Sequence, residues 1–243
     1  MMFSGLSSSV AQARVFNINK ETFAAYFLMT AGGSQIGTAA VDGEAGTGLT
    51  YSNGVNYNYT GEFGFLYSRP AASLRFGFEI LKPVNLESTA KNSSSSLYSA
   101  EGEILGYVPK VALELNLHGS NTYRSFFAAT VGAAQVTLKN NYTLTTAGQA
   151  AYPSVSNHEV EGKGSSTLLS ASLGYEGIMS DTTTILVEFG YRQLKFDSLK
   201  YTKDVTTFSG AKASGDTMVK STGENRELDF SGGFISIGFR FYL

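Results

Sequence analysis

The last nine residues of the sequence alternate strictly between two kinds of side chain. Odd-numbered positions are apolar, and even-numbered positions carry a small residue, a tyrosine or an arginine. Because successive side chains of a β-strand point to opposite faces, this period of two predicts a strand with one oily face. The apolar positions are Ile235, Ile237, Phe239, Phe241 and Leu243.

The same alternation recurs upstream. It is clear at residues 73–80, 111–117, 169–176 and 185–192, and weaker at 55–68 and 123–138. In the 123–138 segment we expect Phe127, Ala129, Val131 and Ala133 to share one face. A first strand is predicted within residues 22–37, with a short helix as the alternative because this segment is rich in alanine. The apolar face of that first strand would carry Phe23, Ala25, Phe27 and Met29.

The connections between these strands alternate between short turns and long polar stretches. The short turns lie near residues 68–71, 118–122 and 178–182 and are rich in Pro, Gly, Asn, Asp and Ser. Loops beyond about 12–15 residues are uncommon in compact soluble domains. One end of the molecule is therefore expected to be smooth and the other to bear loops. The long stretches are residues 38–53, 85–97, 139–165 and 200–227, the last two without strand-like alternation.

An even strand number with this loop asymmetry predicts an all-β fold, an antiparallel up-and-down transmembrane β-barrel of about eight strands. Short turns would face the periplasm and long loops the outside. We expect the barrel to occupy residues 22–243 and an N-terminal arm to occupy residues 1–21. Ala11-Gln12-Ala13 has the small-x-small form of a signal-peptidase site, but the preceding stretch is a poor signal. The arm is therefore expected to belong to the mature protein, where it would plug the lumen or contact a neighbour.

Alternation alone does not say which face points outward, because a soluble lipocalin-type barrel turns its apolar face inward. The polar face of these strands consists of Gly and Ser with isolated charges, which suits the narrow lumen of an eight-stranded barrel. No charged residue interrupts the apolar face of the clean strands, as a bilayer requires. The predicted lumen charges are Arg75, Glu79, Glu114, Glu176, Glu188, Arg192 and Arg240. The predicted lipid-facing residues are Phe76, Phe78, Leu113, Leu115, Val187, Phe189, Ile237, Phe239 and Phe241.

With these features the chain resembles the small eight-stranded outer-membrane barrels of the OmpA, OmpX and OmpW type. The resemblance implies a bacterial outer-membrane location, in a Gram-negative organism, with outer-membrane lipids as neighbours. In that family the barrel assembly machinery reads the C-terminal strand, which normally ends in Phe. Ile237, Phe239 and Phe241 match that pattern, whereas Leu243 departs from it.

Composition narrows the possible functions. Charged residues make up 16% and the formal net charge is −2, so a clustered basic surface for nucleic acid is not expected. Cysteine is absent, and His118 and His158 are expected at opposite ends of the barrel, so no metal site or cofactor is predicted. Non-enzymatic function is favoured. The alternative is a lipid-A-modifying enzyme that uses His158 with the nearby Ser154, Ser156, Glu159 and Glu161.

The lumen charges permit two interpretations. In one they pair to fill the interior, since an unpartnered buried charge is costly. In the other they line a porin-like conduit for very small solutes or protons. The expected role is structural or surface-interacting. Homo-oligomers are possible through smooth aliphatic faces made of Val111, Leu113, Leu115, Leu117, Ile185 and Val187.

Overall fold

A computed structural model describes residues 16–83, 85–93 and 95–243 of the chain. The Ala11-Gln12-Ala13 site and the rest of the arm before residue 16 lie outside the described residues. The strands of the barrel are β1 (Phe23–Gly37), β2 (Val55–Ser68), β3 (Ala72–Leu81), β4 (Ser96–Gly119), β5 (Tyr123–Leu144), β6 (His158–Ile178), β7 (Thr183–Gln193) and β8 (Gly232–Tyr242).

These strands form a closed ring in which each pairs antiparallel with its neighbours in the chain. The ring closes between its first and last strands, where Ala24 of β1 lies opposite Tyr242 of β8 on one side and Leu66 of β2 on the other. Closure satisfies the backbone groups that an open edge would leave unpaired. The predicted eight-stranded up-and-down barrel is confirmed, and the helical alternative for residues 22–37 is wrong. Among the described residues, no helix has the length and apolarity to cross a membrane.

The wall is taller on one side than the sequence predicts. Residues 139–165 were expected to form a loop, yet β5 continues to Leu144 and β6 begins at His158, so most of this stretch is strand. The strands predicted from sequence have one apolar face and one face of small residues. In residues 139–144 and 158–165 one face is instead strongly polar, and the apolar face is interrupted by Asn140 and by glycines, so the alternation is hard to recognise.

The other long stretches also hold local structure. Strand Leu86–Lys91 folds back on the start of β4, and strand Lys200–Tyr201 extends the sheet beside β6. The remaining short elements are strands Thr50–Tyr51, Lys195–Phe196, Val205–Thr207, Gly210–Lys212 and Leu228–Asp229, a 3-10 turn at Thr38–Ala40 and helix α1 at Thr146–Ala151.

The polarity of the wall inverts along its height. In the part next to the short turns the outer surface is apolar and the interior charged. Beyond Tyr107 of β4, Ala133 of β5 and Thr167 of β6, the outer surface becomes polar and the interior apolar. Outer positions in this upper part include Glu101, Glu103, Lys139, Asn141, Glu159, Lys163 and Ser165. The inversion marks where the apolar belt of the barrel ends.

The upper interior is filled by a hydrophobic core. The first loop (residues 38–53) and the fourth loop (residues 200–227) cover this core from above. Each fully buried Leu or Phe contributes roughly 1.5–3 kcal/mol of burial free energy, so a core of this size holds the loops as one folded unit. We call this unit, the upper wall with its loops, the head. Its core includes Val41, Leu97, Tyr98, Ile104, Leu138, Tyr142, Phe196, Leu199, Met218 and Phe230.

The opposite end is covered by the described part of the N-terminal arm. Ile18 is buried beside Ala24, Leu66 and Tyr242, and Phe16 packs on the Tyr242 ring with centroids 5.4 Å apart. The Ile18 amide donates a hydrogen bond to the Asn121 carbonyl at 3.1 Å. The short-turn end of the lumen is therefore lined by apolar contacts from this segment.

Candidate functional site: a charged lumen beneath a folded head

All seven side chains predicted to form the lumen charges are buried inside the barrel. Alternation along each strand places them inward, and three further inward charges join them. The ten residues comprise five acids and five bases: Glu62, Glu79, Glu114, Glu176, Glu188, Arg75, Lys110, Arg124, Arg192 and Arg240. Equal numbers of the two signs leave the formal lumen charge at zero, which reduces the cost of burying them.

Near the short-turn end, two arginines share two glutamates. Arg240 lies 2.5 Å from Glu114 and 2.5 Å from Glu176, and Arg124 reaches the same pair at 3.5 and 2.8 Å. The remaining Glu176 lone pairs accept hydrogen bonds from Thr184 at 2.5 Å and Tyr242 at 2.7 Å. Each carboxylate thus meets charged donors on more than one side, as a buried ion needs.

In the middle of the lumen Arg75 connects this group to the next. It pairs with both oxygens of Glu188, lies 3.3 Å from Glu114, and is 3.9 Å from Glu62. Glu62 also accepts a hydrogen bond from the Tyr26 hydroxyl at 2.6 Å. The arginine therefore crosses the bore and ties β2, β4 and β7 to its own strand, β3.

Toward the head, Lys110 completes the chain of ion pairs. Its ammonium lies 2.7 Å from Glu62 and also contacts Glu79. Arg192 lies 3.0 Å from Glu79 and donates to Asn58 and to the Phe230 carbonyl. The ion pairs thus run without interruption from Arg124 to Arg192 along the lumen.

Glu62, Lys110 and Arg124 were missed at the sequence level, although a signal for them existed. Each lies an even number of residues from an inward position of its own strand. Lys110 is four residues before the inward Glu114, and Arg124 is an odd number of residues from the outward Phe127. They lie where alternation is less clean or where the strand was expected to end. Extending the parity rule over the whole strand would have found all three.

Bulky side chains fill the space between the ion pairs. Tyr26, Leu28, Phe126, Ala128 and Leu186 form an apolar cluster across the lumen. Arg240 and Arg124 lie over the Phe126 ring at 5.3 and 5.8 Å from its centroid. The described lumen retains a cavity of about 20 Å³ beside Arg75 and Glu188, room for about one water molecule. Side chains therefore occupy most of the bore at this level.

The residues predicted to face lipid lie on the outer surface of the belt. Phe76, Leu113, Leu115, Phe189, Ile237 and Phe241 are exposed, and Phe78, Val187 and Phe239 are half-buried between outward neighbours. A closed barrel with an oily exterior and a paired, charged interior is the inverse of a soluble one. The chain has the fold of a small transmembrane β-barrel.

Comparisons with known proteins are limited to fold. No protein-family model matches this barrel, and no curated protein matches it in sequence. It is similar to the outer membrane protein OprG from Pseudomonas aeruginosa, at 15% identity and TM-score 0.46 over 95% of this chain and 99% of that one. It is also similar to Ail of Yersinia pestis (7%, 0.42, 92% and 99%) and to neisserial surface protein A (9%, 0.35, 91% and 97%).

In the head, two buried carboxylates of the first loop hold the fourth loop in place. Asp42 accepts hydrogen bonds from the Ser221 amide and hydroxyl, both at 2.9 Å. Glu44 accepts from the Tyr201 hydroxyl at 2.5 Å and from the Val219 amide at 3.0 Å. These charge-assisted bonds stabilise a loop arrangement that the apolar core alone would leave less specific.

Arg226 joins the same loops to the wall. It donates to the Ala39 carbonyl at 2.6 Å and to the Asn140 side chain at 2.8 Å, and it lies 3.4 Å from the Tyr142 hydroxyl. The guanidinium is buried, so its fixed fork of donors connects the first loop, the fourth loop and β5 at one point.

His158 was expected in a loop, but it is the first residue of β6 and packs into the head. Its ring lies 5.1 Å from Tyr142 and 5.0 Å from Phe208, and its Nδ1 atom is 2.9 Å from the Ser156 carbonyl. Glu159 points the other way and pairs with Lys203 at 3.0 Å. His118 lies at the far end of the barrel, near the end of β4. Within the described residues, no group of three His, Asp or Glu side chains is arranged to hold a metal.

Proposed function

We propose that this chain is a protein of the bacterial outer membrane in which a closed barrel anchors a folded extracellular head. The head serves a structural or surface-interaction role. The observation that supports this most strongly is the continuous packing of the interior, charged within the belt and apolar above it. A conduit needs an open bore, whereas a rigid platform for contacts needs a filled one.

The proposed role is non-enzymatic. A general base must lie within hydrogen-bond reach of the group that it deprotonates. His158 instead packs against two aromatic rings, and the acidic residue next to it, Glu159, faces the opposite side of the wall. This arrangement favours a structural role for the histidine over a lipid-A-modifying one. A lipid-A acylation pattern unchanged between cells with and without the protein would agree with it.

Conductance measurements test the closed lumen. The full chain reconstituted in a planar bilayer is expected to give no single-channel current steps. Steps that change amplitude in Arg240→Ala or Glu188→Ala would contradict the proposal, because they would trace an ion path along the lumen. A refolded sample that shows the heat-modifiable gel shift of an intact barrel is the control for correct insertion.

Orientation has its own test. In intact cells a membrane-impermeant amine reagent is expected to modify the head lysines Lys163, Lys200 and Lys203, and to spare Lys20 at the opposite end. The reverse pattern would place the head in the periplasm and refute a surface role.

We also propose that copies associate through two aliphatic faces of the belt, one on β4 and one on β7, which β5 and β6 separate in the ring. Val111, Leu113 and Leu115 are exposed on β4, and Ile185 is exposed on β7. The mass of the detergent-extracted protein tests this, and a monomer would refute it.

A further inference from the structure

We propose that the barrel binds a phosphate-bearing lipid of the outer leaflet at the upper edge of its belt, with the phosphate on Lys163 and Lys200 and an acyl chain in the groove below. The inference rests on the membrane placement proposed above. Neither the lumen nor the head core takes part in it.

The lower half of the site is an apolar groove of about 780 Å³ on the outer wall. One side is formed by paired aromatic rows, Phe63 opposite Phe78 and Phe65 opposite Phe76. The groove continues across β4 to Ala133, a small side chain flanked by the larger neighbours of adjacent strands. A trough with aromatic side chains along one side and a shallow floor at Ala133 fits a flexible hydrocarbon chain.

The upper half is a polar groove of about 660 Å³ between β4, β5, β6 and the Lys200–Tyr201 strand. Besides its two lysines, it is lined by Tyr107, Gln135 and Ser165, which offer hydroxyl and amide groups at the same level. These groups can donate hydrogen bonds to phosphate or glycerol oxygens.

The two lysines form a like-charged cross-strand pair. Lys163 and Lys200 lie directly opposite each other in the antiparallel register, and both are exposed. Like charges in this position are destabilising unless an anion lies between them. Lys163 has only a loose contact with Glu161, at 3.9 Å, and Lys200 has no carboxylate within 4 Å among the described residues.

The grooves are continuous with each other. On β4, β5 and β6 one outward residue lines the upper groove and the next outward residue lines the lower groove. These pairs are Tyr107 and Pro109 on β4, Gln135 and Ala133 on β5, and Ser165 and Thr167 on β6. Two residues of a strand span about 7 Å, so headgroup and chain positions adjoin. The Tyr107 ring also contacts Phe78 of the lower groove, with centroids 5.9 Å apart.

This juxtaposition selects the ligand class. A free anion would use the lysines but leave the apolar groove empty, and a neutral lipid would use the groove but leave the lysines repelling each other. A lipid with an anionic phosphate headgroup satisfies both halves, with its phosphate at the level where the belt gives way to polar wall. Each lysine near such a surface adds about 1 kcal/mol of attraction, which corresponds to about fivefold in affinity.

The test measures binding of the full chain in zwitterionic detergent micelles by native mass spectrometry. Phosphatidic acid is the probe, dioleoylglycerol lacks the phosphate, and glycerol 3-phosphate and inorganic phosphate lack the chains. Phosphatidic acid is expected to bind and the other three to bind at least about tenfold more weakly. Equal binding of inorganic phosphate or glycerol 3-phosphate, or of dioleoylglycerol, would overturn the two-part site.

The double variant Lys163→Gln/Lys200→Gln is expected to lose about tenfold or more in affinity for phosphatidic acid. The matched control is Lys139→Gln/Lys203→Gln, which removes two other exposed lysines, one 3.9 Å from Glu161 and one 3.0 Å from Glu159. An equal loss in both variants would mean non-specific attraction and would refute the site. Because all four positions are exposed, each variant should still fold into a barrel that shows the heat-modifiable gel shift. If the lipid site is refuted, the conductance and labelling tests of the proposed function are not affected.

Discussion

Arg240 and Glu114 lie 2.5 Å apart inside the barrel, toward its short-turn end, and neither side chain reaches solvent. Taking two such ions out of water costs several kcal/mol each, and their attraction offsets this only when further partners complete the geometry. Arg240 has Glu176 as its second partner, and Glu114 has Arg75 and Arg124. The pair is therefore part of a network, in which removal of one member leaves the others badly matched.

Arg240→Gln should leave a folded but weaker barrel. The change removes one of the arginines that contact Glu114 and Glu176, at an expected cost of about 3–5 kcal/mol in the free energy of unfolding. Urea unfolding in detergent micelles measures it. The double variant Arg240→Gln/Glu114→Gln removes opposite charges together and should lose less than the sum of the single changes. Strict additivity of the two costs would show that the charges do not interact.

Phe239→Arg should cripple insertion. Phe239 lies opposite Phe27 of β1 and Ile185 of β7 on the lipid side of the wall, one residue away from the lumen arginine. A lipid-facing arginine near the bilayer midplane costs about 2–4 kcal/mol. The fraction of protein in the heat-modifiable band measures insertion, with Phe239→Leu as the control. Equal insertion of Phe239→Arg and Arg240→Gln would reverse the assignment of the two faces.

Gly174→Ala should disturb the apolar part of the lumen. A Cβ at Gly174 would lie 2.2 Å from the Phe126 ring, so the ring must move. Overpacking of this kind costs about 1–3 kcal/mol. Urea unfolding should show that loss, and Phe126→Leu in the same chain should recover part of it. If Phe126→Leu lowers the free energy of unfolding as much in the Gly174→Ala variant as in the wild type, the clash is not with this ring.

The barrel could be predicted from sequence because alternation reports directly on a strand with two unlike faces. Ile237 and Arg240 lie on opposite faces as their parity requires. The same rule was applied too narrowly elsewhere. Lys110 and Arg124 occupy inward positions of their strands, yet they were left out because their surroundings are less regular.

The head could not be predicted, because the contacts that form it do not follow the two-residue alternation of polar and apolar side chains. Above the belt the inner face changes from charged to apolar, so Leu138 and Tyr142 have the parity of lumen charges but belong to a core. The contacts that hold the loops join positions far apart in the chain, such as Asp42 with Ser221. Such pairings depend on the loops' path in space, which no local pattern encodes.

Arg226→Gln should loosen the head without opening the barrel. The variant loses the buried fork that joins the Ala39 carbonyl to Asn140 and leaves these acceptors without a charged donor, at a cost of about 1–3 kcal/mol. Limited proteolysis of the folded protein should then cut faster within residues 200–227, while the heat-modifiable shift stays. Lys203→Gln, on the outer surface of the same loop, is the control. Unchanged cleavage in Arg226→Gln would show that the apolar core alone holds the loop.

Acidification should weaken the head through His158. Burial among aromatic rings lowers the pKa of this imidazole below its ordinary value of 6.5, because desolvation penalises the charged form. The opened state then binds the proton first, so the stability present above pH 6.5 decreases as the pH falls below that value. Most carboxylates, with ordinary pKa values near 4, are still ionised between pH 7.5 and 5.5.

Hydrogen exchange of residues 141–160 at those two pH values, corrected for the intrinsic exchange rate, measures the effect. Protection should decrease at pH 5.5 in the wild type and in His118→Gln, whose changed residue is exposed at the opposite end. His158→Gln should remove most of the difference, since glutamine does not titrate. If protection in His158→Gln decreases as much as in the wild type, another group controls the response and the buried imidazole does not.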